Sequence, residues 1–196
     1  MKRRATLASL CLAPWVLAGC AGTTEATHWY ELRAEPPEPA PAARPGDGTI
    51  WEMAGVVRMP GALDRDTLVV ASGAATLLPL VGHRWVEPLR ESIPDRLVTD
   101  LARLRGEGLV WRAPAPAGVA VARRLRVQID ALIADAARSS LHLKARWWLS
   151  DERDAGTPTT MGEADLKVAL ADSLVDTLAA AHRQALWRLA RRIAGN

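Results

Sequence analysis

Two neighbouring stretches decide the fold of this chain: residues 125–133, LRVQIDALI, and residues 141–149, LHLKARWWL. Along both, apolar side chains alternate with mostly polar ones, which is the pattern of a strand with one face buried and one face in water. A short, mostly polar segment near residues 135–140 separates the two. They are therefore predicted to form an antiparallel pair at the centre of a sheet.

The same alternation assigns a direction to each tryptophan of the second stretch. Trp147 shares the predicted buried face of Leu149, so Trp148 is predicted to point the other way, beside Lys144 and Arg146. If helices cover only one face of the sheet, Trp148 lies on the open face with two basic neighbours. The alternative is that Trp148 packs beneath a loop or against a side chain of a neighbouring strand.

Two longer segments have the apolar spacing of amphipathic helices. Residues 87–105 carry a leucine and isoleucine stripe, with Pro88 in a first turn that tolerates proline. Pro94 is predicted either to kink this helix or to mark its true start. Residues 171–194 form the second predicted helix, with aspartates near its start and arginines near its end, as the helix dipole favours.

Shorter segments rich in β-forming residues lie before, between and after these elements. Together, the order of strands, helix, strands and helix predicts one α/β (α+β) domain over residues 28–196. Its expected architecture is a mixed, mostly antiparallel sheet with two amphipathic helices packed on one face. The further predicted strands are residues 28–32, 50–59, 67–71, 76–81, 110–111 and 159–170.

The N-terminal part of the predicted domain contains a proline-rich segment. Residues 35–48 contain five prolines and end in Gly-Asp-Gly, so they are predicted to form a loop outside the sheet interior. The alternative is that every residue before Thr49 belongs to one long tether.

The N-terminus has the features of a lipoprotein signal. Basic residues 2–4 precede an apolar run, and residues 17–20, LAGC, match the bacterial lipobox. This predicts a signal peptide over residues 1–19, lipid attachment to Cys20, and a flexible tether over residues 20–27. The alternatives are an ordinary signal peptide with a chance cysteine, or an uncleaved anchor helix. The apolar run is shorter than the roughly 20 residues that a membrane span needs.

Removal of the leader lowers the net charge of the protein to near zero. The whole chain has 25 basic and 22 acidic residues, and the leader takes away Lys2, Arg3 and Arg4 but no acid, leaving 22 of each. A near-neutral mature protein lacks the basic surface that a nucleic-acid partner requires. Cys11 lies in the leader and Cys20 would be acylated, so no cysteine remains for a disulfide or a CxxC site.

Motifs for catalysis are absent from the sequence. There is no G-x-S-x-G nucleophile elbow, no phosphate-binding G-x-x-x-x-G-K-[ST] loop and no H-E-x-x-H pair. We therefore predict no catalytic residue, no metal site and no cofactor other than the covalent lipid on Cys20. The histidines are all isolated in sequence: His28, His83, His142 and His182.

Several motifs occur together in an order that is similar to one known family. With the lipobox and an Ala/Leu/Arg-rich C-terminal helix, the chain resembles the ABC-type transport auxiliary lipoproteins, the paraquat-inducible C-like lipoproteins of Gram-negative envelopes. It departs from the usual pattern in its long proline loop and in having Gly61-Ala62 where a bulkier residue follows the proline. The motifs are WYEL at 29–32, VVRMP at 56–60, LDR at 63–65, WVEPL at 85–89 and LKARWWL at 143–149.

The resemblance implies a non-catalytic, lipid-anchored accessory protein. Such lipoproteins work with an MCE-domain periplasmic protein and its permease system in envelope lipid transport. Ala21, rather than aspartate, follows Cys20, which favours sorting to the periplasmic face of the outer membrane. The alternatives are an assembly or pilot lipoprotein of another envelope or secretion machine and, less favoured, a periplasmic hydrolase.

The candidate partner-binding residues fall in two groups. Trp148 and Arg146 lie on the predicted open face of the sheet. Leu63, Asp64 and Arg65 form the Leu-Asp-Arg turn that carries part of the family resemblance. The partner is expected to be the MCE-domain protein, with a second copy of this chain as a further arrangement.

Overall fold

The computed structural model describes residues 26–33, 35–39, 48–154 and 158–195. The predicted leader, Cys20 and the centre of the proline-rich segment, residues 40–47, lie outside the described residues. The described elements are strands β1 (His28–Tyr30), β2 (Trp51–Met53), β3 (Thr67–Ala71), β4 (Leu77–Trp85), β5 (Val110–Arg112), β6 (Arg123–Asp135), β7 (Ser140–Asp151) and β8 (Pro158–Ala169), with helices α1 (Leu89–Arg105) and α2 (Val175–Ile193).

The predicted central hairpin is confirmed as β6 and β7, which pair antiparallel along almost their whole length. Leu125 lies opposite Leu149, and Val127 lies opposite Trp147, so the apolar faces of the two strands coincide over this part. The predicted alternation is wrong beyond Ile129, where a register shift reverses the faces of β6. Leu132 and Ala134 are buried, whereas Ala131 and Ile133 are only half-buried. Asp135 organises the turn, because its carboxylate accepts hydrogen bonds from the backbone N–H groups of residues 139 and 140 at 3.1 and 2.9 Å. These bonds hold the pKa of Asp135 far below its usual range.

Strand β6 is the hub of the sheet because both of its edges are used. One edge pairs with β7, which continues to β8. The other edge of β6 pairs in parallel with β2 near the start of β6 and with β3 at the end of β6. Strand β2 also pairs with β5, and β3 also pairs with β4, which in turn pairs with β1. Within the described chain, four strand pairs are parallel and three are antiparallel. The mixed sheet is confirmed, and its antiparallel strand pairs are longer than its parallel ones.

Both helices cover the apolar face of this sheet. Helix α2 packs on β7 and β8, and α1 packs on α2 and β5. The stripe predicted for α1 forms its buried side, and Trp187 of α2 is fully buried. The largest fully buried side chains also include Met53, Leu68, Ile93, Leu97, Leu101, Leu125, Ile129, Leu141 and Leu143.

Pro94 lies inside α1 and does not mark its start, because the helix begins at Leu89. Proline has no N–H, so the carbonyl oxygen of Arg90, four residues earlier, loses its helical donor. The backbone N–H of Val57 donates to that oxygen at 3.4 Å. A segment far away in sequence thus supplies the bond that the proline removes.

The prediction of a single strand over residues 50–59 is wrong in its extent. Strand β2 ends at Met53, and Arg58 returns to β6 only through an isolated bridge. Between them the guanidinium of Arg112 donates to the carbonyl oxygen of Gly55 at 3.1 and 2.6 Å. A side chain from β5 therefore occupies a backbone acceptor that a neighbouring strand would otherwise use.

Two other element boundaries differ from the predictions by four residues. Strand β4 continues through Pro79 to Trp85, although the sequence indicated a short strand that ends at residue 81. Helix α2 begins later than residue 171, since the carboxylate of Asp172 accepts a hydrogen bond from the backbone N–H of Leu174 at 2.9 Å. That local bond stabilises a turn immediately before the helix.

A buried ion pair joins the two helices to the N-terminal segment. Arg183 on α2 donates to both carboxylate oxygens of Asp100 on α1 at 2.6 and 2.7 Å, and its Nε donates to the Arg33 carbonyl oxygen at 2.7 Å. The two side chains are 5% and 0% exposed. Burial raises the pKa of Asp100, and the guanidinium opposes that shift. The pair thus offsets the desolvation of each charge by charge-assisted hydrogen bonds.

Candidate partner-binding surface

The face of β6, β7 and β8 that points away from the helices is the open face predicted from the sequence. Trp148 lies on it, half-buried, and its neighbours in register are Arg126 on β6 and Met161 on β8. Met161 is 75% exposed. We call this region the Trp148 face: an apolar pair surrounded by charged side chains. Its residues are Arg126, Lys144, Arg146, Trp148, Met161 and Glu163.

Arg146 is engaged in an ion pair on this face. Its Nε and one terminal nitrogen donate to the two carboxylate oxygens of Asp130 at 2.9 and 3.0 Å. The guanidinium lowers the pKa of Asp130, so the carboxylate stays ionised at neutral pH. A partner approaching Arg146 therefore meets a bidentate ion pair rather than an isolated cation.

Trp147 lies on the core side, as predicted, and reaches the edge of the sheet across β8. Its indole ring covers Gly162, where an added Cβ atom would overlap the ring atoms. Only glycine leaves room for this packing. The two tryptophans, Met161, Gly162 and Glu163 line an open cavity of about 380 Å³. The edge of the sheet beside the Trp148 face is therefore concave and largely apolar.

The Leu-Asp-Arg turn lies elsewhere on the molecule. Leu63 belongs to the hydrophobic core, whereas Arg65 is exposed. Asp64 accepts a hydrogen bond from Arg90 in the first turn of α1 at 3.2 Å. Because Asp64 contacts a helix and Trp148 lies on the face away from the helices, the structure does not join the two candidate groups in one surface.

Sequence reasoning missed a larger cleft between the N-terminal segment and α2. It has a volume of about 560 Å³, and Trp29, Pro36, Pro37 and Ala180 are among its lining residues. The side chain of Glu38 anchors this segment to α2 by accepting from Gln184 at 3.2 Å and pairing with Arg191 at 3.5 Å. No local pattern could indicate this cleft, because its two walls are far apart in the sequence.

The histidines occupy packing and surface positions. His182 is buried, with Nδ1 2.8 Å from the Leu178 carbonyl oxygen, and burial lowers its pKa to about 4. His83 stacks on His28 and hydrogen bonds to the Tyr30 hydroxyl at 2.8 Å. Among the described residues, no group of three or more potential metal ligands is assembled.

No helix in the described part of the chain is long and apolar enough to cross a membrane. The arrangement of side chains offers surfaces for binding: an open sheet face with a tryptophan at its centre and a cleft beside α2.

Comparisons with known proteins agree with the resemblance seen in the sequence. A family model described as "ABC-type transport auxiliary lipoprotein component" matches residues 30–194. A crystal structure of a Xanthomonas campestris protein assigned to DUF330 is similar at 17% identity with a TM-score of 0.71, covering 86% of this chain and 93% of that one. A crystal structure of an uncharacterised protein has 16% identity and a TM-score of 0.68, with coverage of 87% and 98%.

These two structures share the fold of this chain. Among curated proteins, no sequence matches it. The family model, by contrast, covers nearly all of the described domain, from β1 to the end of α2. The chain belongs to the family of ABC-type transport auxiliary lipoprotein components.

Proposed function

We propose that this protein is a non-catalytic lipoprotein that serves a lipid transport system of the Gram-negative envelope. A lipid on Cys20 anchors it to the periplasmic face of the outer membrane, and its domain binds the MCE-domain protein of an ABC-type system. Membership of a transport auxiliary family supports the accessory role. The lipobox at residues 17–20, and Ala21 after the cysteine, support the anchor and its sorting.

The observation that carries the docking role is the Trp148 face. Both helices pack on the opposite side of the sheet, so this face remains open across β6, β7 and β8. Tryptophan and arginine are the side chains most enriched among interface hot spots, because they bury a large area and keep polar donors. Trp148 with the ordered Arg146–Asp130 pair provides such an anchor.

The docking role is tested by capture of the MCE-domain protein from cells that express the full chain with its transport operon. Trp148→Ala should reduce capture at least several-fold without changing the melting temperature. Trp111→Ala is the matched control, because Trp111 is also half-buried on a strand but lies on β5, at another edge of the sheet. Full capture by folded Trp148→Ala protein would rule out this face as the binding site.

The anchor is tested separately by Cys20→Ala. Stable anchoring needs more than one acyl chain, so a protein without the acylated cysteine should leave the outer-membrane fraction. Mass spectrometry of the mature N-terminus reports the modification directly. A Cys20→Ala protein that is processed at the same position and remains in the outer-membrane fraction would contradict the proposal.

A further inference from the structure

The first half of β4 forms an exposed edge made almost entirely of apolar residues. Residues 71–82, ASGAATLLPLVG, contain no charged side chain and no histidine. Strand β1 pairs with β4 only at residues 83–85. Within the described part of the chain, residues 77–81 have β3 on one side and no paired strand on the other. We call Leu77, Leu78, Pro79 and Val81 the β4 apolar edge.

Apolar side chains of this edge are exposed on both faces of the sheet. Leu78 pairs with Val70, which faces the core, whereas the neighbouring Pro79 pairs with Val69. Successive residues of a strand point to opposite faces. Leu78 is nonetheless 50% exposed, and Leu77, on the other side, is 39% exposed. Val81, in the stretch where the register with β3 shifts, is 75% exposed. A rigid protein partner would cover one face, whereas a fluid apolar phase can surround both.

The described chain begins beside this edge. The carbonyl oxygen of Ala26 lies against Gly82, 3.4 Å from where a Cβ atom would stand, and Gly82 follows Val81 directly. Five residues lie between Cys20 and Ala26, so the six steps from one to the other span at most about 20 Å. A lipid on Cys20 therefore keeps Gly82, and with it the Val81 end of the β4 apolar edge, near a bilayer surface.

The backbone of the edge disfavours addition of a strand from a second copy. Pro79 lacks an N–H, and proline is one of the devices that prevent edge-to-edge pairing of sheets. Unpaired backbone groups are also costly in hydrocarbon, so deep insertion is disfavoured as well. Contact at the headgroup level suits both features, because side chains reach the acyl boundary while the backbone stays hydrated.

We propose that the β4 apolar edge contacts the same bilayer that holds the lipid of Cys20 and thereby orients the domain on the membrane. This inference rests on the lipid anchor of the proposed function. It assigns the surface beside β1 to the membrane and leaves the Trp148 face, on β6 to β8, for the protein partner. The lipid and the edge form two adjacent attachments, which together restrict rotation of the domain.

The test places a fluorophore on the edge in the full-length protein. Cys20 is the only cysteine of the mature chain, so Val81→Cys and Met161→Cys each introduce one free thiol. The two positions are matched, since both side chains are 75% exposed on strands. Each labelled protein is reconstituted in phosphatidylethanolamine–phosphatidylglycerol vesicles that contain a fraction of doxyl-labelled lipid, and near-ultraviolet circular dichroism confirms that it is folded.

An NBD label at position 81 should emit at shorter wavelength than in water, and doxyl lipid should quench it at least twofold more than the label at position 161. Equal quenching at the two positions would overturn the inference. A blue shift at position 81 without lipid quenching would also overturn it, because a second copy or another protein would then cover the edge.

Mass spectrometry of Cys20 on the same samples separates this inference from the anchor proposal. Acylated protein with an unquenched label at position 81 would refute membrane contact of the edge and leave the anchor intact. Protein without the acyl group would refute the anchor. In protein without the acyl group, quenching at position 81 by the added vesicles would still support membrane contact of the edge. A lack of quenching at position 81 would refute that contact.

Discussion

The buried Asp100–Arg183 pair gives the sharpest test of what holds the two helices together. Asp100→Ala would remove the carboxylate that receives two hydrogen bonds from Arg183 while the guanidinium stays buried in the helix pair. Breaking a buried pair by removing one partner costs about 3–5 kcal/mol. For a domain of this size, that corresponds to a fall in the melting temperature of roughly 10 °C.

The matched control is Asp130→Ala, which breaks the other bidentate arginine–aspartate pair. Arg146 and Asp130 are bonded at distances similar to those of the buried pair, but their side chains are 55% and 25% exposed. Water solvates Arg146 when its partner is removed, so this variant should melt within a degree or two of the parent protein. The difference between the two variants measures the effect of burial on the same chemistry.

Thermal unfolding followed by circular dichroism provides the comparison, with urea unfolding to give free energies. The double variant Asp100→Leu/Arg183→Met replaces both charges by apolar groups and should regain most of the stability lost by Asp100→Ala, because no buried charge is left without a counterion. The reasoning would be refuted if Asp100→Ala melted like Asp130→Ala. It would also be refuted if the double variant were no more stable than Asp100→Ala.

Two further predictions concern stability. Because burial lowers the pKa of His182 to about 4 from an ordinary 6.5, the unfolded chain binds a proton in this range that the folded protein cannot. The free energy of unfolding should therefore fall by about 3 kcal/mol as the pH drops from 6.5 to 4, and His182→Phe should remove that dependence in pH-dependent urea titrations. Gly162→Ala should destabilise by about 1–3 kcal/mol because its methyl group overlaps the Trp147 ring, whereas Gly61→Ala, with no atom within 4 Å, should not. Equal urea midpoints for the two glycine variants would contradict the packing described for Trp147.

Local periodicity explains why the central part of the fold could be predicted. The alternation in residues 125–149 predicted the hairpin of β6 and β7 and the direction of each tryptophan, because a strand repeats every two residues. It did not predict the register shift after Ile129, which buries Leu132 in place of Ala131 and Ile133. The helical stripe of α1 and α2 was equally readable. Leu63 was different: it lies in a turn, where no periodicity distinguishes a buried side chain from an exposed one.

Features made by distant residues could not be predicted. Arg183 lies on a helix with many arginines, and nothing in its neighbourhood distinguishes the one that is buried against Asp100. The parallel pairing of β2 and β3 with β6 depends on a chain path that no short segment encodes. The β4 apolar edge was visible in the sequence as a strand, but its exposure follows from how little of β4 the short β1 covers.

The position of β6 at the hub of the sheet has a consequence for the order in which the chain can fold. A polypeptide that emerges from its N-terminus presents β2 and β3 long before the strand that unites them. Among the described elements, the strands that precede β6 pair as β1 with β4, β4 with β3, and β2 with β5, and these two groups share no strand until residues 123–135 are available. Such non-local closure slows folding and prolongs the exposure of unpaired strands. The nascent chain therefore cannot complete its sheet until β6 has been synthesised. A truncation before β6 would leave two parts of the sheet without the strand that joins them.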